Sequence, residues 1–244
     1  MSNTTKEWWN AFSKDYQKQS TIHTKAAHYG AFAPDENELR LLGNVRGKKI
    51  LEIGCGGGQC SIAFAKQGAK CTGVDFSREQ LKYAQALAQK EKVKPPFVEG
   101  NIQTLRGIKS HYYDIVFSAH TIQYVSDLNK CFKNINRVLK KNGVFVFSLG
   151  HPFYSILSHK QIGKIKRSYH FNEKGATSSK WANGKEYHVP ISRRKVSDIF
   201  DSLTKTGFEV TRIIEPLKLK EQTAWTKGMW KEYYPKRLVK LMSP

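Results

Sequence analysis

The sequence lacks long hydrophobic runs. A membrane-crossing helix needs about 18 or more consecutive apolar residues, and no such stretch occurs, so we expect no stable membrane insertion. The N-terminal segment, residues 1–17, is polar and has no apolar stretch of the kind found in signal peptides. A cytoplasmic location is the resulting expectation.

Cysteine is also scarce, with four residues in a chain of 244. Their spacings match no zinc-binding pattern, and no Cys-x-x-Cys pair occurs, so no metal site is predicted. In a reducing compartment we expect buried free thiols and no disulfides. The four are Cys55, Cys60, Cys71 and Cys131.

Acidic residues are few, with 20 Asp and Glu against 41 Lys and Arg, a formal net charge of +21. The excess is concentrated in residues 160–195, with ten basic and two acidic residues, and in residues 216–244, with seven and two. Such a surface attracts nucleic acid, anionic lipid or an acidic metabolite. The alternative is a lysine-rich host proteome that places Lys on every solvated face.

What the sequence does contain is a regular alternation of strand and helix patterns from residue 48 onward. Strands of this kind, separated by helices of 8–13 residues, predict an α/β fold with a parallel sheet covered by helices on both faces. Predicted strands cover residues 49–53, 70–74, 96–99, 113–117, 144–149 and 208–214. Predicted helices cover residues 4–16, 35–42, 59–66 and 128–140. Two further helices are predicted, one that begins at Ser77 and one that Ser192 caps.

The pattern divides the chain into four segments. We expect an aromatic, helical N-terminal lid (1–44), a central α/β core (45–150), an insertion (151–190) and a C-terminal helix, strand and basic tail that complete the core (191–244). The insertion has turn signals at Lys174-Gly175 and Asn183-Gly184, flanked by aromatic residues, which favours a hairpin.

The glycine cluster after the first strand carries most of the chemical information. Glycines at a strand-to-helix turn let the backbone approach a ligand closely. The dinucleotide pattern Gly-x-Gly-x-x-Gly fails because Gln59 stands where the third glycine belongs, which disfavours a nicotinamide-dependent oxidoreductase. The pattern Glu-x-Gly-x-Gly-x-Gly is satisfied, by Glu52, Gly54, Gly56 and Gly58.

This pattern resembles motif I of class I S-adenosylmethionine-dependent methyltransferases, in their small-molecule, type 11/25-like branch. Val74-Asp75 after the second strand, Glu99-Gly100-Asn101-Ile102 after the third and Tyr113 to His120 stand at the distances that the resemblance requires. The resemblance covers residues 45–150 and implies a seven-stranded Rossmann-like sheet, whose last strand has Leu238 to Met242 as its only candidate.

The resemblance also implies S-adenosylmethionine as cofactor and assigns its contacts. Asp75 would accept hydrogen bonds from the ribose hydroxyls, and Asn101, where the family usually has Asp, would accept one from the adenine amino group. Ile102 would pack on the adenine, and Tyr16 in the lid would bind the methionine carboxylate; an amphipathic helix facing the core is the alternative for the lid. Cys55, Phe76 and Ser118 complete the expected cofactor site.

Two histidines follow strands where a proton acceptor would be useful, His120 after the fourth strand and His151 after the fifth. Either could act as base or only shape the pocket. Around the acceptor we expect aromatic and basic side chains of the insertion, although a solvated basic loop explains the arginines equally well. These candidates are Tyr187, His188, Arg193 and Arg194.

Three functions remain open. The favoured one is O- or C-methylation of a small, anionic or aromatic acceptor. The second is methylation of RNA, with the basic segments on phosphates and Trp181, Trp225, Trp230 and Tyr233 on bases; Ser118-Ala119-His120-Thr121 replaces the Asn-Pro-Pro-Tyr-like motif of many base methyltransferases, which disfavours it. The third is a non-enzymatic binding module on the same scaffold. The oligomeric state is left open.

Overall fold

The computed structural model describes residues 3–31, 33–150, 174–180, 186–192 and 194–215. Helices and strands alternate along them as the sequence predicts. The elements are α1 (Asn3–Gln19), α2 (Glu36–Leu39), β1 (Lys49–Ile53), α3 (Gln59–Lys66), β2 (Lys70–Asp75), α4 (Arg78–Lys90), β3 (Phe97–Glu99), β4 (Tyr113–Ala119), a short 3₁₀ helix (Ile122–Tyr124), α5 (Leu128–Val138), β5 (Leu139–Ser148), β6 (Lys174–Lys180), β7 (Glu186–Ser192) and α6 (Val196–Lys205).

Five strands form one sheet in the order β3-β2-β1-β4-β5, and every neighbouring pair is parallel. The first strand therefore lies in the middle of the sheet, with β2 and β3 on one side of it and β4 and β5 on the other. All five strands point the same way, so their carboxyl ends meet along one edge. This is the Rossmann-like arrangement that the sequence predicts.

The core lies on both faces of this sheet because successive strand residues point to opposite sides. Leu51 and Ile53 of β1 pack with Phe132 and Ile135 of α5 on one face. On the other face, Ile50 belongs to a second cluster of buried residues together with Phe64, Phe117 and Ile115. Burial of β1 on both sides explains its uninterrupted apolar character.

Helix α1 packs along α4. Nζ of Lys6 lies 2.6 Å from Oε1 of Glu99, and Oγ of Ser77 lies 2.8 Å from Oδ1 of Asn10. Ser77 also accepts a hydrogen bond from the backbone N–H of Gln80, so it caps α4 as predicted. These contacts connect α1 to the start of α4 and to the end of β3.

Three sequence predictions are wrong in their details. Residues 208–214 form no strand, although Phe208 and Val210 pack against the core. Helix α5 ends at Val138 and not at residue 140, and β5 begins at once with Leu139 paired to Tyr113. Ser192 ends β7 instead of capping α6, which starts at Val196.

A hairpin is present as predicted, since β6 and β7 pair antiparallel with Lys174 opposite Ser192. The predicted turn at Lys174-Gly175 is wrong, because these residues begin β6, and Asn183-Gly184 lies outside the described residues. Strand β7 lies against α1 and the 3₁₀ helix. The candidate last strand, Leu238 to Met242, lies outside the described residues. Within the described segments, no helix is long and apolar enough to cross a membrane.

Candidate active site

The predicted site residues converge on the carboxyl edge of the sheet. Gly54 follows β1, Asp75 is the last residue of β2, and Gly100-Asn101 follows β3. Ser118 lies near the end of β4, and His120 follows it. Open parallel sheets bind their ligands at this edge, where the strand order reverses next to the first strand.

The glycine loop takes a backbone shape that side chains would oppose. Gly54, Gly56 and Gly58 have φ values of 69°, 52° and 78°, in the left-handed region. A Cβ at Gly54 would fall 2.3 Å from Oγ1 of Thr121, and one at Gly58 would fall 2.8 Å from Cβ of Ala84. Thr121 and Ala84 therefore leave no room for a side chain at Gly54 and Gly58. The loop leads directly into α3.

Asp75 is joined to this loop. The backbone N–H of Gly56 donates to Oδ2 over 2.9 Å, and that of Ser77 donates to Oδ1 over 2.9 Å. The residue is 7% exposed, and burial raises the pKa of its carboxyl to about 6 despite these hydrogen bonds. The backbone N–H of Phe76 also stabilises the charged form, and the carboxylate keeps at least one lone pair for a hydroxyl donor.

Glu52 lies beneath the loop. It is 3% exposed, and its Oε2 accepts a hydrogen bond from Oγ of Ser61 on α3. Burial raises the pKa of the Glu52 carboxyl to about 7. This predicted cofactor residue therefore connects β1 to α3 in the described structure and has almost no accessible surface. Cys55 is similarly buried, with its Sγ directed toward Gly73 of β2.

The segment after β3 holds the two residues predicted to contact the adenine, Asn101 and Ile102. Oδ1 of Asn101 accepts a hydrogen bond from the backbone N–H of Gln103 at 2.9 Å, which forms a local turn and leaves one further lone pair on that oxygen. Ile102 is 1% exposed and belongs to the core cluster. That cluster includes Phe132 and Ile135 of α5, and the contact of Ile102 with the adenine stays a prediction. Phe76, next to Asp75, is half-buried.

Helix α1 reaches the glycine loop through Gln17, a residue that the sequence did not single out. Nε2 of Gln17 donates to Oε1 of Gln80 over 2.7 Å, and Oε1 of Gln17 accepts from Nε2 of Gln59 over 3.0 Å. Its amide covers Gly57, where a Cβ would fall 2.4 Å from Nε2 of Gln17. The side chain thus connects α1, α3 and α4 directly over the loop.

Tyr16 lies in an aromatic cluster on the same helix. Its ring centroid is 5.4 Å from that of Trp9 and 5.8 Å from that of Phe12, and Trp9 in turn is 6.0 Å from Tyr124 of the 3₁₀ helix. Burial raises the pKa of the Tyr16 hydroxyl. The cluster therefore joins α1, which packs along α4, to the 3₁₀ helix that follows β4.

His120 is held in an unusual conformation. Its φ is 53°, its backbone N–H donates to the carbonyl of Ser148 over 3.0 Å, and its carbonyl accepts from Nε2 of Gln123 over 2.7 Å. A Cβ at Gly30 would fall 2.3 Å from Nε2 of His120, so the segment before α2 touches the imidazole. The side chain remains solvent-accessible, yet desolvation by the surrounding protein lowers its pKa.

The remaining predicted site residues are the second histidine and the four acceptor-side candidates. His151 and Arg193 are outside the described residues. Tyr187 and His188 are on β7. Arg194 donates from its guanidinium to the carbonyl of Val125, and its partial burial there restricts its availability to an acceptor.

These features fit S-adenosylmethionine. Beside Gly56 the nearest neighbour of an added Cβ would be Oε1 of Gln80 at 3.7 Å, so the loop leaves room for close approach of a ligand. Asp75 offers a buried carboxylate with spare acceptor capacity. Oγ of Ser118 is buried and has no hydrogen-bond partner among the described residues. Donors and acceptors for a polar cofactor are thus present at this edge.

Comparison with known proteins gives the same class. An S-adenosylmethionine-dependent methyltransferase from Mesorhizobium loti has a TM-score of 0.58 at 25% identity, over 72% of this chain and 81% of that chain. A protein from Pyrococcus horikoshii, 20% identical over 70% of this chain and 77% of that chain, shares the fold with a TM-score of 0.58. The first places the chain among S-adenosylmethionine-dependent methyltransferases, and the second shows a shared fold.

Residues 51–147 match the family model described as a methyltransferase domain. The chain contains a class I S-adenosylmethionine-dependent methyltransferase domain, and S-adenosylmethionine is its cofactor. A ubiquinone biosynthesis O-methyltransferase from Rickettsia canadensis is 27% identical over 168 residues, which are 68% of this chain and 64% of that protein. The chain spans less than two thirds of the length of the ubiquinone-biosynthesis relatives that it matches.

Proposed function

We propose that the chain methylates a small-molecule acceptor at an oxygen or carbon atom, with His120 as the proton acceptor. The observation that carries the proposal is the position of His120, at the carboxyl end of β4 and in contact with Gly30. A non-glycine residue held at positive φ at the end of a site-forming strand is a strained conformation of the kind that clusters at functional sites.

The protonation states of the site support this role. Because desolvation lowers the pKa of His120, its imidazole is neutral at pH 7 and has a lone pair for a proton. Because the pKa of Asp75 is about 6, its carboxylate is mostly ionised at that pH and is a strong acceptor for ribose hydroxyls. In this proposal His120 takes the proton of the acceptor, and Asp75 binds the ribose of the cofactor.

Bound S-adenosylmethionine supplies a methyl group that its sulfonium already activates. The protein then has to hold the acceptor oxygen or carbon in line, keep water away and take up the acceptor proton. Positioning of this kind supplies roughly 7–11 kcal/mol of a barrier. Helix α1 contributes by covering Gly57 with Gln17, and we assign the proton to the imidazole of His120.

The covering by α1 also supports a small acceptor. Trp9 packs edge-to-face against Tyr124, so aromatic side chains of α1 lie beside the end of β4. The relatives named for ubiquinone biosynthesis O-methylation support an oxygen as the methylated atom. RNA remains the second candidate because of the excess of basic residues.

The test is methyl transfer by the purified full chain, followed as S-adenosylhomocysteine formation. The panel contains catechol-type phenols, enolisable ketones, carboxylic acids and total RNA. Turnover with a phenol or an enolisable carbon supports the proposal, and Asp75→Ala measured in parallel should be inactive. Turnover with RNA alone would reject it. Turnover with carboxylic acids alone would reject the role of His120, because a carboxylate has no proton to give up.

A further inference from the structure

The amino ends of the strands form a second surface, which lies on the sheet edge opposite the cofactor. We call it the amino edge and define it as residues 46–49, 70, 91–96, 109–114 and 140–141. β1 alone is five residues long, so at about 3.3 Å per residue roughly 16 Å separates the two edges. Nine basic residues stand there, with at least one before or at the start of each of the five strands: Arg46, Lys48, Lys49, Lys70, Lys92, Lys94, Lys109, Lys140 and Lys141.

Acidic residues do little to neutralise this surface. The same segments contain only two, Glu91 and Asp114. Glu91 pairs with Nζ of Lys66 at 2.6 Å, and Asp114 pairs with Nζ of Lys140 at 2.6 Å while also accepting the backbone N–H of Lys49 at 2.7 Å. Both carboxylates are therefore already engaged.

The edge lysines outnumber their counter-ions. Within the part of the chain that the structure describes, no carboxylate lies at ion-pair distance from Lys48, Lys70 or Lys94, and all three side chains are exposed. Neighbouring strands are about 4.8 Å apart, so the five strands spread the positive charge over roughly 20 Å. An extended polyanion matches such a line of charge better than a single small anion does.

The edge is also concave. A cavity of about 380 Å³ opens between the starts of β1 and β2 and the segment that leads into β3. Its size falls in the range of small-ligand pockets, about 300–1,000 Å³. Lysines stand around it, and Nζ of Lys49 lies 3.9 Å from the ring centroid of Tyr112. The lining residues include Lys49, Lys70, Lys94, Tyr112, Val93 and Pro96.

This shape argues for one kind of polyanion. Exposed Leu, Ile, Phe and Trp side chains, which anchor proteins in a bilayer, are absent from the described amino edge. The cavity has the volume for one base, and a base that is not paired is free to enter it while the neighbouring phosphates lie on the lysines. Basic grooves with an aromatic residue are typical of single-strand binding.

We propose that the amino edge binds the phosphodiester backbone of a single-stranded nucleic acid, with one nucleotide in the cavity beside Tyr112. This site is separate from the methyl-transfer site and does not require that the nucleic acid be the acceptor. The lysine line and the cavity carry the proposal together.

Binding is measured with the full chain by fluorescence anisotropy, using fluorescein-labelled U20 RNA and T20 DNA as probes. The edge variant Lys48→Glu/Lys70→Glu/Lys94→Glu is compared with a control of equal charge change on exposed helix positions, Lys130→Glu/Lys133→Glu/Lys205→Glu. We expect the edge variant to bind at least about tenfold more weakly and its salt dependence to fall by about 2 in log–log slope, since three phosphate contacts are lost. The control should stay within about twofold of the wild type.

Calorimetry with S-adenosylmethionine should give the same affinity for all three proteins, which separates this proposal from the methyltransferase assignment. RNA and DNA bound alike support recognition of the backbone, and RNA bound more tightly supports contacts to the 2′-hydroxyl in addition. The proposal is overturned if the wild type binds neither probe, if both variants lose affinity equally, or if the edge variant loses none. Preference for a duplex, or for phosphatidylglycerol vesicles over U20, overturns it as well.

Discussion

The backbone N–H of Gly56 donates to Oδ2 of Asp75 over 2.9 Å, so the glycine loop after β1 and the acid that ends β2 form one unit. The backbone N–H groups of Gly54 and Cys55 also donate to the carbonyl of Val74, so the carboxylate is the side-chain part of a larger connection between the loop and β2. This coupling makes Asp75 the most informative position for cofactor binding.

Asp75→Asn should weaken S-adenosylmethionine binding by more than about tenfold. The amide replaces one acceptor oxygen by a donor, which opposes the N–H of Gly56 or of Ser77 and removes a charged partner of the ribose. Calorimetry measures the affinity, with Asp201→Asn on the exposed surface of α6 as the matched control. An unchanged dissociation constant for Asp75→Asn would remove ribose binding from this residue.

Cofactor affinity should fall as the pH drops below about 6. Burial sets the pKa of free Asp75 near 6, and hydrogen bonds from ribose to the charged form would lower that pKa in the complex. The complex then binds fewer protons than the free protein, so affinity is full above pH 6 and declines by up to about tenfold per pH unit below it. Calorimetric titrations between pH 7 and pH 5 test this. A flat profile, or an equal slope in Asp75→Asn, contradicts it.

Gln17→Ala should speed dissociation of the cofactor several-fold. The change removes the amide that connects Gln59 and Gln80 over Gly57, so α1 loses its hold on the loop. Stopped-flow tryptophan fluorescence, to which Trp8 and Trp9 on the same helix contribute, reports the rate. Lys14→Ala, at an exposed position of α1, is the control and should leave the rate unchanged. Equal dissociation rates in the two variants would mean that α1 does not cover the site.

The sequence could predict the cofactor loop because its information is local. The spacing of Gly54, Gly56 and Gly58 reflects backbone conformations that glycine alone adopts readily, and Asp75 follows from the end of the next strand. The contact of Gln17 with Gln80 joins residues 63 positions apart, and no local pattern encodes it.

The predicted strand at residues 208–214 shows a second limit. The alternation of Phe208 and Val210 correctly indicates burial, since both pack against the core, but burial on one side does not require a hydrogen-bonded neighbour. Ser192 is a further case: serine favours helix caps, yet this residue is paired in β7 with Lys174. In both cases a distant partner decides between alternatives that the local sequence permits.

His120→Ala should leave cofactor affinity nearly intact and lower turnover on an identified acceptor by about 10²–10⁴-fold, the usual contribution of a general base. Gly30→Ala should reduce turnover as well, because its Cβ would displace the imidazole it meets at 2.3 Å. The pH profile of turnover separates the two variants: Gly30→Ala retains a titrating imidazole and His120→Ala does not. Full activity of His120→Ala would end the proposal that this residue takes the proton.

Glu52→Gln should stabilise the protein at alkaline pH and have little effect at acidic pH. Burial raises the pKa of Glu52 from 4.5 to about 7, so the folded state holds a proton that the unfolded chain has released between these values. The folded protein therefore loses stability as the pH rises from about 4.5 to 7. Glutamine is neutral at every pH and still accepts the hydrogen bond from Ser61. Urea unfolding at pH 5 and pH 8 should show the variant gaining on the order of 2–3 kcal/mol over the wild type at the higher pH. Because the wild type and the variant share every other titrating group, their difference isolates Glu52; a difference that does not grow with pH would mean that the buried carboxyl is not protonated in the folded state.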